Sequence, residues 1–197
     1  MRWGEPPPGA LARVLSRVRS WLGTPSVAVS RPTLRPLPLA LRRSELAVPY
    51  LAADAAGDHE QAARAATTAM QDAEAQGDWW PADIWGHRAL WHFEQAGLEL
   101  EATRAARLIG DLRSAAGDPA SSRRYYAEAI SEARDLGAEH EEGLAALGMG
   151  RAAMHLSDVT TARRLAAIAL DLLERAGAPP EELAAARELR GEEKAVS

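Results

Sequence analysis

Residues 117–177 read GDPASSRRYYAEAISEARDLGAEHEEGLAALGMGRAAMHLSDVTTARRLAAIALDLLERAG. The stretch is punctuated every twenty residues, at Gly117, Gly137, Ser157 and Gly177. Between these stops, small and apolar residues recur at spacings of three and four, the period of one helical face. After Gly117 that face is Ser122, Tyr126, Ala129 and Ala133; after Ser157 it is Ala162, Ala166, Ala169 and Leu173. A glycine just past such a pattern supplies the left-handed residue that ends a helix. Each unit therefore predicts one helix of about seventeen residues and a short turn.

The register extends backwards through Gly97, Gly77 and Gly57, where Ala62, Ala66, Ala69 and Ala73 repeat the small face. Asp58, Asp78, Asp118 and Asp158 follow four of the stops and are expected to cap the next helix. Two such units make an antiparallel pair of about forty residues, within the range of helical-hairpin repeats.

The run Gly117-Asp118…Tyr125-Tyr126-Ala127-Glu128-Ala129-Ile130 resembles the second helix of a tetratricopeptide repeat. Ala145 to Ala153 (AALGMGRAA) resembles the first helix of the next repeat, and Ala162…Ala166…Ala169-Leu170 its second. The resemblance implies an all-α fold of antiparallel helical hairpins stacked as a short right-handed superhelix, of the bacterial variety with a repeat near forty residues. It also implies a scaffold for protein or peptide binding rather than an enzyme. The helices after Gly57 and Gly117 both resemble second helices, although an odd number of units separates them. A non-standard helix pair is therefore expected over residues 78–116. A last helix from Pro180 and Glu181 would form the polar cap such arrays need.

Composition agrees with helices. Apolar residues make up 47% of the 197 residues but aromatics only 5%, and 43 alanines account for the difference, which excludes an all-β class. Cysteine is absent, so disulfides and thiolate chemistry are absent too. No apolar run approaches the ~20 residues of a membrane span. The bias to arginine (one lysine, Lys194) and alanine resembles that of a GC-rich bacterial genome. A cytoplasmic protein is expected.

Charge divides the chain. Residues 1–43 carry eight arginines and one acid, against a net −12 for the rest. An acidic body disfavours nucleic acid as a partner, because phosphate neutralisation dominates that affinity. Eight of the twelve prolines precede residue 50, and between them Leu11, Val14, Leu15, Val18, Trp21 and Leu22 form one apolar stripe. Residues 1–43 thus read as a basic tail with an amphipathic helix at about 10–22, residues 44–192 as the repeat domain, and 193–197 as a short C-terminal tail. The tail helix could dock on its own acidic body, on a second copy in a homodimer or, less favoured, on a membrane surface.

One helix carries most of the unusual chemistry. Trp79, Trp80, Trp85, Trp91 and Phe93 crowd together with His87 and His92. Trp80, Ile84, His87 and Trp91 share one face at spacings of four, three and four, and are candidate ligand contacts. The opposite face, Ala82, Gly86, Ala89 and Phe93, suits packing. The competing reading makes these indoles the bulk that an alanine-rich core otherwise lacks. Arg113 and Arg151 are candidates to hold a peptide carboxylate on an inner face.

Catalytic and metal signatures fail. His59-Glu60 and His140-Glu141 each lack the second histidine of a zinc helix, and His87 and His92, five apart, do not share a face. Glu139, His140, Glu141 and Glu142 read as a solvated helix start. No catalytic residue, metal or cofactor is assigned. The expected function is a non-enzymatic adaptor or regulatory scaffold binding a protein or peptide. The alternatives are a small-apolar-ligand domain using helix 79–96 and a helical accessory protein or enzyme of a biosynthetic pathway.

Overall fold

The computed structural model describes Leu34 and residues 36–191. These residues form nine helices and no strand: α1 (Leu39–Arg42), α2 (Ala47–Ala56), α3 (His59–Ala75), α4 (Trp79–Gln95), α5 (Glu99–Ala115), α6 (Pro119–Asp135), α7 (Glu139–His155), α8 (Val159–Arg175) and α9 (Pro180–Arg190). The tail helix expected at 10–22 and the C-terminal residues 193–197 lie outside the described residues. The packed unit begins at Pro36 rather than at 44, since Leu37 is buried and its carbonyl accepts from Arg42 Nε at 2.8 Å.

Six consecutive helices, α3 to α8, are each 17 residues long. The stops explain that uniformity. At Gly77, Gly117 and Gly137 φ is +74°, +82° and +67°, and the next amide turns back to the carbonyl five residues before it, as in Asp118 N–H to Arg113 O at 2.9 Å. Ser157 takes the same conformation with φ +63°, although it carries a Cβ. Ser157→Gly should therefore raise stability by roughly 0.5–1 kcal/mol, seen as a higher denaturant midpoint.

Three of the four expected aspartate caps form. Asp58, Asp118 and Asp158 accept from the backbone N–H of Gln61, Ser121 and Thr161 at 3.0–3.1 Å. Asp78 makes no such bond. The residue three places on is Pro81, which has no N–H to give.

The small faces are the packed ones. Ala62, Ala66, Ala69 and Ala73, their counterparts Ser122, Tyr126, Ala129 and Ala133 on α6, and Ala162, Ala166, Ala169 and Leu173 on α8 are all buried. Small side chains let each helix lie close against the next along the chain. Helices two apart also approach at α5 and α7 and at α7 and α9. The irregular pair expected over 78–116 is not found in length or spacing: α4 and α5 keep the period and the turn of their neighbours. Their side chains are what set them apart.

Candidate functional site

The stripe Trp80, Ile84, His87 and Trp91 runs the length of α4, and the structure divides it among three environments. The opposite face packs as expected, with Ala82, Gly86, Ala89 and Phe93 buried. A methyl group at Gly86 would lie 3.0 Å from Ile109 Cγ1 and from Met70 Sδ, so α3 and α5 close on α4 where it has no side chain. Trp80, at the head of the helix, is 58% exposed, and Ile84 is half-buried against the core.

His87 lies half-buried where α4, α5 and α6 meet. Its Nδ1 is 2.7 Å from the backbone oxygen of Asp83, which can only accept, so Nδ1 carries the proton. The bare Nε2 then accepts the Tyr125 hydroxyl at 2.8 Å. Arg113 on α5 closes the group by meeting Asp83 at 2.7 Å. Burial pushes the Tyr125 phenol up, against the opposing pull of Arg113. Of the sequence candidates, His87 and Arg113 are thus brought together, through an aspartate and a tyrosine that sequence spacing does not single out.

Trp91 belongs to a different group. Its ring stands edge-on to His92 at 4.7 Å and to His59 of α3 at 5.5 Å. His92 is fully buried and contacts Tyr50 of α2 at 3.1 Å through Nε2, and His59 at 3.0 Å, Nδ1 to Nδ1. Arg88 donates to the Tyr50 hydroxyl at 2.8 Å. Trp80 and Trp91 are both solvent-accessible, but eleven residues of helix hold them about 16 Å apart along the axis, so one small pocket does not contain both.

A further polar group, outside the stripe, joins α5 to α7, and sequence reasoning missed most of it. Glu141 is buried and receives Arg104 Nε at 2.9 Å and Arg107 Nε at 3.0 Å. Arg107 also donates to Asp111 at 2.8 Å. The Tyr126 ring comes from α6 and passes between Gly110 and Gly148, so that its hydroxyl donates to Asp111 at 2.8 Å. Burial pushes the Asp111 carboxyl up, opposed by Arg107, by the Tyr126 hydroxyl and by Arg151. Glu74 of α3 is raised by burial and then by the charge of Asp111, which brings α3 into electrostatic reach of the same row. Arg151, exposed on α7, acts here and not with His87.

The helix start at 139–142 is not simply solvated. Glu141 and Glu142 are both buried, Glu142 pairing with Arg134 at 2.6 Å. His140 reaches Glu182 of α9 at 2.7 Å, and Glu139 meets Arg175 at 3.2 Å. The three glutamates tie α7 to α5, α6 and α8, and His140 ties it to α9.

Chemically, the arrangement offers hydrogen-bonded ties between helices and an arginine-bearing face on α5 and α7. Among the described residues no group of three histidine or carboxylate side chains converges as metal ligands, and no helix is long and apolar enough to cross a membrane. No protein-family model matches the chain, and no curated protein matches it.

Proposed function

We propose that this chain is a non-enzymatic adaptor that binds a peptide or protein segment on the inner face of a helical array similar to tetratricopeptide repeats. The carrying observation is the asymmetry of next-but-one approach. In a curved two-layer stack, helices of the inner layer come closest together, and here α5 approaches α7 and α7 approaches α9. Placing α5, α7 and α9 on the inside puts Arg104, Arg107, Asp111 and Arg151 on the groove. Arg107, Asp111 and Glu141 satisfy one another, whereas Arg151 is exposed beside them and can take a carboxylate of the partner. The reading carries with it a cytoplasmic, bacterial scaffold.

The test is an array of random peptides with free C-termini, followed by titration of the selected sequences. Micromolar binders are expected, weakened roughly tenfold by Arg151→Glu and further by salt. Failure to select any peptide, or indifference to Arg151→Glu, would reject the groove.

A second reading rests on the exposed indole of Trp80 above the His87 group: a small apolar ligand seated at the head of α4. A ligand that shifts tryptophan fluorescence in the wild type but not in Trp80→Leu would favour it.

A further inference from the structure

The polar group between α2, α3 and α4 belongs to neither reading, and its hydrogen-bond logic has a direction. The Tyr50 oxygen accepts from Arg88 Nη1 at 2.8 Å, a donor that guanidinium never gives up. The Tyr50 O–H is then left to donate, and the His92 Nε2 at 3.1 Å takes it. With Nε2 bare, neutral His92 carries its proton on Nδ1 and donates it to the His59 Nδ1 at 3.0 Å. The chain therefore runs Arg88, Tyr50, His92, His59. Each imidazole lone pair in it is already an acceptor.

We propose that this His59–His92 chain is an acid-sensitive latch that holds α2 against α3 and α4 and releases it when either ring takes a proton. A proton added at His59 Nδ1 sets two N–H groups face to face at 3.0 Å. One added at His92 Nε2 displaces the Tyr50 O–H and turns a donor toward the same phenolic oxygen that Arg88 already occupies. Only the hydrogen bond breaks, and the proton comes from solvent.

Burial opposes protonation of His92, while the charged groups around it act in both directions. Arg88 comes from His92's own helix, His59 from α3, and Tyr50 and Asp54 from α2. Among the described residues Asp54, whose Oδ1 lies 3.6 Å from Nε2, favours the cation, and its side chain is 46% exposed. Burial holds the His92 imidazole below its ordinary value, with His59 and Arg88 acting the same way and Asp54 against them. A histidine depressed in the docked state contributes stability that is complete above its ordinary value near 6.5 and lost as pH falls below it. Helix α2 is 10 residues long, with Ala47, Tyr50 and Ala53 buried and Leu51 packed against the same core. Opening would uncover the Trp85 indole, which packs edge-on against Tyr50 at 5.1 Å.

The experiment is amide hydrogen exchange of the full chain between pH 7 and 5.5, corrected for intrinsic rates, comparing α2 with α7. Undocking frees both imidazoles from the chain. The α2 opening constant is therefore expected to rise at least severalfold over this range, while α7 stays level. His59→Gln, at a half-exposed site, removes one end of the chain and should reduce the rise. Ring nitrogen NMR at pH 7.5 should find His92 protonated on Nδ1. A flat α2 profile, an undiminished rise in His59→Gln, or His92 protonated on Nε2 would each overturn the latch.

Discussion

Gly148→Ala is expected to destabilise the fold by about 3 kcal/mol, the reverse of what an exposed helical glycine does. Alanine is the better helix former by about 1 kcal/mol, so local propensity alone predicts a gain. The added methyl would collide with Cε1 of the Tyr126 ring and lie 2.7 Å from its Cζ. The ring has nowhere to go. A methyl at Gly110 would also lie 2.8 Å from Cε1, so α5 crowds the ring as well as α7. The ring is 2% exposed, and its hydroxyl is held by Asp111 at 2.8 Å. Overpacking of this kind forces helices apart, typically at 1–3 kcal/mol and sometimes more. Equilibrium urea unfolding with an unchanged m-value measures it. Combining Gly148→Ala with Tyr126→Leu should restore part of the loss, because the second change removes the obstacle. A neutral Gly148→Ala would mean that Tyr126 does not separate the two glycines.

The second large effect is expected at Glu141. Glu141→Ala removes the acceptor shared by Arg104 and Arg107 and leaves both guanidinium groups facing a buried position. Breaking a buried pair usually costs about 3–5 kcal/mol, but Arg104 is 48% exposed and Arg107 keeps Asp111, so about 2 kcal/mol is expected. Glu141→Gln, which still accepts one hydrogen bond, should lose less. Added salt should change the wild-type contribution little, since the carboxylate side chain is only 7% exposed. A loss below about 0.5 kcal/mol in Glu141→Ala, the range of surface pairs, would show that this tie does not hold α5 to α7.

The sequence by itself determined the helices, their ends and their buried faces, because these depend on residues within one or two turns of each other. The left-handed stops at Gly57 through Gly177 and the buried rows Ala62-Ala66-Ala69-Ala73 and Ala162-Ala166-Ala169-Leu173 follow from local spacing. The missing cap at Asp78 was equally local: Pro81 stands in plain view three residues on. The single aromatic stripe on α4 was a correct face but an incomplete statement, since a helix seventeen residues long passes several neighbours. Only the tertiary structure decided which neighbour each residue meets. His59 and His92 are 33 positions apart, Arg104 and Glu141 37, and His87 and Tyr125 38. No spacing rule connects such pairs, because each contact depends on how far one whole helix is rotated and shifted against another. That rotation is set by the summed packing of small side chains, in which the absence of a Cβ at Gly86, Gly110 and Gly148 matters as much as any group present.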